Sequence, residues 1–183
     1  RGLGDVYKRQ HKMKGEGHFL ALMKKSEDAP ETRIKLEAPT RMDKKNKAVM
    51  EEFFKDCQWK PDWERVQIKG EKVYLVPELS AKLNGIHFLR NGLYMGDLKK
   101  NRFEPSHALA LALHPSEVKQ NVNLSADAPE TAAYLRGETI QLSEEDAGKG
   151  WCLVSVDGYS LGWGKKSGGT LKNHYPKGLR KQY

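Results

Sequence analysis

The last 34 residues concentrate side chains that could hold a polyanion. Lys165, Lys166, Lys172, Lys177, Arg180 and Lys181 stand there against one acid, Asp157. Lys and Arg neutralise phosphates, Asn and His hydrogen-bond base edges or sugars, and Tyr offers a stacking face. Asn173, His174 and Tyr175 follow Lys172 directly, and Gly168-Gly169 reads as the start of a flexible loop running to Lys177. A second basic run, Arg90 with Lys99, Lys100, Asn101 and Arg102, flanks the turn from Gly92 to Gly96. Residue types leave two readings open for both runs: an RNA-contacting surface, or a solvated face with an ordinary basic tail.

Other chemistry finds little support. The six histidines form no HxxxH or HExxH pair, and neither Cys57 nor Cys152 lies at metal-ligand spacing from them. Walker, GxSxG and strand-following GxGxxG motifs are absent from the sequence. Cys57 falls on an apolar helical stripe and Cys152 sits beside Trp151 in a strand pattern, so both read as buried hydrophobes. No catalytic residue and no metal site is therefore assigned. Glu104 and Ser106, at the entry to an Ala/Leu stretch, read as helix caps.

The elements that must position these groups are those of an α+β chain. At 183 residues and 38% hydrophobic content it can bury a core without disulfides or metal, and two lone cysteines suit a reducing compartment. The longest apolar run, Ala108 to Leu113, is far below the roughly 20 residues of a membrane helix. A net charge of +8 admits a polyanionic partner without requiring one.

Along the chain, Phe19 to Met23 reads as a short strand after the turn Gly15-Glu16-Gly17. Val49, Met50, Phe53, Phe54 and Cys57 form one face of a helix starting near Lys45, with Asp43 as its cap and Pro61 beyond its end. Arg65 to Ile68 and Lys72 to Val76 read as a hairpin through Gly70-Glu71. His87 to Leu89 and Gly92 to Met95 read as a second strand pair. Glu104 to Leu113 is assigned to a helix ending before Pro115. Asp127 and Glu130 have capping-box spacing around Pro129, and Gly137 offers the stop. Trp151 to Val156 and Tyr159 to Trp163 flank Asp157-Gly158, a strong hairpin signal.

Arg1 to Gln10 read differently from the rest: RGLGDVYKRQ matches the in-frame translation of a transposase-type sequencing adapter. Setting it aside leaves a net charge of +6 and implies that the native part begins in mid-protein.

Three strings carry a family resemblance. GLYMGDLKKNRFEPSHALALAL (Gly92 to Leu113) and GWCLVSVDGYSLGWGKKSGGTLKNHYPKGLR (Gly150 to Arg180) resemble the C-terminal region of RsmF-like bacterial rRNA (cytosine-5-)methyltransferases. HKMKGEGHFLALMKK is similar to the last strand hairpin of that family's Rossmann-type methyltransferase domain, with Gly15 to Phe19 matching its G-[DE]-G-x-F turn. The resemblance implies four segments: the adapter (1–10), a remnant of the methyltransferase domain with its linker (11–40), a small α+β module (41–115), and a PUA-like β-barrel module that binds RNA (116–183).

It further implies a cytoplasmic, monomeric, RNA-gripping portion of an S-adenosylmethionine-dependent enzyme acting on small-subunit rRNA. Lys165, Lys166, Lys172, Lys177 and Arg180 would meet phosphates, Asn173, His174 and Tyr175 would make closer contacts, and Lys99, Lys100 and Arg102 would extend the track. The family's cysteine nucleophile and its second cysteine lie in Pro-Cys and Thr-Cys contexts, whereas Cys57 follows Asp56 and Cys152 follows Trp151. Neither inherits the role, and the chain by itself is expected to be inactive and to bind no cofactor. The rival expectation makes the two modules a docking surface for a ribosomal protein or an assembly factor.

Overall fold

A computed structural model describes residues 24, 26–28, 42–78 and 91–181, together with the backbone of two short strands near the N-terminus. The chain divides into two compact units, residues 1–34 and 35–183. In the first, β1 (Val6–Tyr7) pairs antiparallel with β2 (Phe19–Leu20).

The second unit opens with α1 (Lys44–Phe54), whose cap Asp43 accepts from the Asn46 amide at 2.9 Å. Its apolar stripe sends Met50 and Phe54 into the interior, while Phe53 and Val49 stay half-buried. Next comes an antiparallel sheet in the order β3 (Val66–Lys69), β4 (Lys72–Leu75), β5 (Leu93–Lys99), β6 (Arg102–Pro105). Gly96 in β5 has φ 153°, and a Cβ there would stand 2.2 Å from the Glu104 carbonyl oxygen. Only glycine lets the two strands approach that closely. The strand expected at His87 to Leu89 lies outside the described residues, as does Arg90.

The stretch assigned to one helix from Glu104 is split. Glu104 and Pro105 finish β6, and α2 spans only His107–Ala112. Edge position makes the missing N–H of Pro105 tolerable in the strand. Ser106 caps α2, accepting from the Leu109 amide at 3.1 Å, whereas Glu104 does not cap it.

The second sheet is mixed, in the order β7 (Asn121–Leu124), β9 (Gly148–Val156), β10 (Tyr159–Gly168), β11 (Thr170–Asn173), β8 (Ile140–Gln141). β7 runs parallel to β9, and the other pairs are antiparallel. Asp157 (φ 48°) and Gly158 (φ 84°) make the expected turn, with both central residues left-handed. Gly168-Gly169 also forms a tight turn, because Ser167 pairs with Thr170 and Leu171 to Asn173 belong to β11. The expected flexible loop is thus mostly strand. Helix α3 (Pro129–Arg136) stops at Gly137 (φ 89°). The capping box expected of Asp127 and Glu130 does not form: Ala128 occupies the cap position and makes no side-chain bond. Thr131 Oγ1 instead donates to the Ser125 carbonyl at 2.7 Å.

Two apolar clusters hold the second unit together. One comprises Val122, Tyr134, Ile140, Cys152, Val154 and Leu171 beneath α3. The other joins Met50, Phe54, Val73, Met95, Phe103 and Leu109 to Leu153 and Trp163 of the second sheet. Alternation along β9 and β10 separates the clusters, since Cys152 and Val154 point to one face and Leu153 and Trp163 to the other. Each large side chain so buried contributes about 1.5–3 kcal/mol before entropy is charged, and the shared cluster binds both sheets into one body.

Candidate nucleic-acid interface

Direct cross-strand pairing places Trp151, Lys165 and Lys172 in one row across β9, β10 and β11. Two residues along, Lys149, Ser167 and Thr170 form the next row of the same face. The Lys165 ammonium lies 5.7 Å from the Trp151 ring centroid, a cation–π contact. The His174 ring meets the same indole edge-on at 4.6 Å. Lys165 and Lys172 are exposed, and neither makes an ion pair among the described residues. Burial, then the charges of Lys172 and Lys165, hold the His174 imidazole below its usual range, with Glu104 opposing.

Not every basic or polar residue of the C-terminal run joins this face. Lys166 points the other way and is 7% exposed, so it cannot reach a phosphate at the surface as expected. Its charge instead lowers the Cys152 thiol, which burial pushes up to about 11 overall. Asn173 is consumed internally. Its amide donates to the carbonyls of Tyr134 (2.9 Å) and Glu138 (3.0 Å), and its oxygen accepts from the Tyr175 amide (2.7 Å). Tyr175 packs between His107 and Tyr134, each ring centroid at 5.4 Å. Arg180 donates to the Tyr175 carbonyl at 3.2 and 3.3 Å. Asn173, Tyr175 and Arg180 together fasten the C-terminal segment to α3. Lys177, in a single 3-10 turn (Lys177–Leu179), remains exposed.

The second basic run is partly neutralised. Lys99 pairs with Glu71, and Arg102 Nε sits 2.8 Å from Glu104, while Lys100 is exposed at the β5–β6 turn. The run nonetheless adjoins the lysine face, because Arg102 and Trp151 line one groove and Glu104 acts on His174. Sequence reasoning missed Trp151 and Lys149. No local signal gives that row, because a register shift between Ser160 and Gly162 breaks the count from the Asp157-Gly158 turn.

Among the described residues no three His, Cys, Asp or Glu side chains converge as metal ligands. Both cysteines are free and buried, and burial raises both thiols, so they are poor nucleophiles where they stand. No helix among the described residues is long and apolar enough to cross a membrane.

Comparison with known proteins places both modules in one family. Residues 52–113 match the RsmF rRNA methyltransferase first C-terminal domain, and residues 121–181 match the methyltransferase RsmF PUA domain. A ribosomal RNA small subunit methyltransferase F of Shewanella piezotolerans is 34% identical over 122 residues, which is 66% of this chain and 25% of that protein. Its counterpart in Shewanella loihica is 31% identical over 173 residues, 90% of this chain and 35% of its own length. The Shewanella oneidensis counterpart is 27% identical over 175 residues, covering 91% and 36%. The chain thus spans about a third of the length of these curated relatives.

Proposed function

We propose, from the premise that this chain belongs to the RsmF rRNA methyltransferase family and carries its first C-terminal and PUA domains, that its work is to grip and orient RNA. The observation that carries this reading is the row Trp151–Lys165–Lys172 with His174 beside it. The Lys165 ammonium lies over the Trp151 indole and Lys172 stands beside it on the next strand, with no ion pair to either lysine among the described residues. Phosphate contacts from the lysines would fix register, and the aromatic rings would meet unstacked bases. Lys149 extends the positive face, Lys177 adds a further exposed charge in the C-terminal segment, and Lys100 and Arg102 extend it towards the first sheet.

By likeness to the relatives, the whole protein would methylate small-subunit rRNA in the bacterial cytoplasm, using S-adenosylmethionine and working as a monomer. The residues present here do not suit that cofactor's reaction, because both thiols are buried and held protonated at neutral pH. The division of labour is then simple: residues 41–115 and 116–183 hold the RNA while catalysis belongs to the remainder of the enzyme.

The test is a titration of the full chain with small-subunit rRNA fragments at several salt concentrations. Binding through several phosphates weakens steeply, with log K falling linearly in log salt. Replacing Lys165 and Lys172 together by Gln should flatten the slope by about 1.4 for a single-stranded target. Salt-independent binding, or an unchanged slope in the double variant, would replace this reading with the protein-docking one.

A further inference from the structure

We propose that the groove between α1 and the β9–β10 face receives one unstacked nucleobase of the RNA whose phosphates the lysine row holds. This rests on the RNA-binding reading above. The groove encloses about 550 Å³, inside the range of pockets that take small ligands. Its floor is aromatic: Phe53, Phe103, Trp151 and Trp163. Phe53 stands 5.7 Å from Trp163 and 5.0 Å from Phe103, both edge-on; Trp163 and Phe103 are buried, so the half-buried rings of Phe53 and Trp151 are the ones a flat guest would meet.

Two amides supply polar edges to that floor. Gln120 donates from Nε2 to the Lys149 carbonyl at 3.3 Å, which leaves its side-chain oxygen as an acceptor. Asn101 sits at the β5–β6 turn with φ 61°, a left-handed position that Asn tolerates. Charge at the rim fits a nucleotide. Arg102 and Lys149 border the opening, whereas the acids Glu52 and Asp56 are engaged by Lys55 and by Lys119 (4.0 Å). Trp151 both lines the groove and carries Lys165 over its ring. A phosphate at Lys165 therefore leaves its own or the neighbouring base beside the opening. An aromatic slot with amide edges and a cationic rim is how single-stranded RNA is held.

The test compares a single-stranded RNA oligomer with an abasic ribose-phosphate oligomer of equal length, on the full chain at fixed salt. The base-bearing oligomer should bind roughly tenfold more tightly, with the same salt slope. Ala48→Trp, at an exposed α1 position on the groove wall, should fill the slot and erase that preference without changing the slope. Asn101→Gly, which keeps the left-handed turn, should weaken the base-bearing oligomer severalfold and leave the abasic one unchanged. Equal affinities in the wild type, or a preference that survives Ala48→Trp in a protein with wild-type melting, would overturn the groove proposal alone. Salt-independent binding of both oligomers would overturn the RNA reading beneath it.

Discussion

The indole Nε1 of Trp163 donates a 2.8 Å hydrogen bond to the main-chain carbonyl of Ser106. Ser106 also caps α2 through its hydroxyl, which in turn donates to the Tyr94 carbonyl. One residue of the first sheet's side thus fixes a helix start, a strand and a tryptophan from the second sheet. Trp163 is 2% exposed and sits among Phe53, Met95 and Leu109 of the shared cluster. The lysine face is continuous with that tryptophan along β10, so the geometry of that face depends on a junction made elsewhere in sequence.

Trp163→Phe should therefore act on both halves at once. It keeps a ring in place but loses the N–H, and a lost buried hydrogen bond costs about 1–2 kcal/mol. Because the cluster spans both sheets, residues 42–181 should still unfold in one transition, shifted to lower urea. Coincident curves from tryptophan fluorescence and far-ultraviolet circular dichroism are expected. Two separated transitions in the wild type would show that the sheets are energetically independent.

Asn173→Ala should be a stability variant and not a binding variant. It removes three hydrogen bonds, leaving the Tyr134 and Glu138 carbonyls and the Tyr175 amide without this partner. Unsatisfied buried groups cost about 1–3 kcal/mol each, partly relieved by water at the more exposed Glu138. Chemical denaturation should register the loss. RNA affinity measured well below the melting temperature should stay within about twofold, against the much larger drop that a base-contacting asparagine would give.

The contrast between Asn173 and Lys165 shows what the sequence could and could not reveal. Local signals were legible: the α1 stripe and its Asp43 cap, the left-handed Asp157-Gly158 turn, the Gly137 stop and the burial of both cysteines. Sidedness along β10 was not. A register shift between Ser160 and Gly162 moves the pairing by one residue, so Trp151 faces Lys165 where counting from the turn would give Gly164. A slip of one exchanges the faces of a strand, and this one decides that Lys165 is exposed and Lys166 buried. The partners of Asn173 lie 39 and 35 residues away, beyond any local pattern. The same holds for Trp163, whose aromatic character announced burial without saying in which cluster. Glu104 and Pro105 read as helix because Pro suits the first turn of a helix as well as the edge strand it occupies here.

Acid should weaken the fold through His107. Its Nδ1 is buried with no hydrogen-bond partner among the described residues, and burial holds the imidazole below its ordinary range. The unfolded chain then takes up a proton near pH 6.5 while the folded protein resists it. Stability is full above about pH 6.5 and falls as pH drops from there towards the depressed folded value. The urea midpoint should decline between pH 7.5 and 5.5, and His107→Gln should flatten that decline. An equal decline in the variant would assign the effect to other groups, His174 first, since its imidazole is shifted the same way.

RNA binding should show the opposite pH trend within the folded range. Lys172 and Lys165 help to depress His174 in the free protein, and a phosphate seated on those lysines would offset their charge. The imidazole then binds protons more readily in the complex than out of it, so binding takes up a proton. Affinity is greatest below the free-state value and is lost as pH rises through the higher, bound-state value. A few-fold gain is expected on going from pH 8 to pH 6 at constant ionic strength. His174→Gln should remove the gain while keeping the salt slope, because Lys165 and Lys172 remain. If the variant retained the full pH dependence, the proton would be entering elsewhere, and His174 would be no more than a neighbour of Trp151.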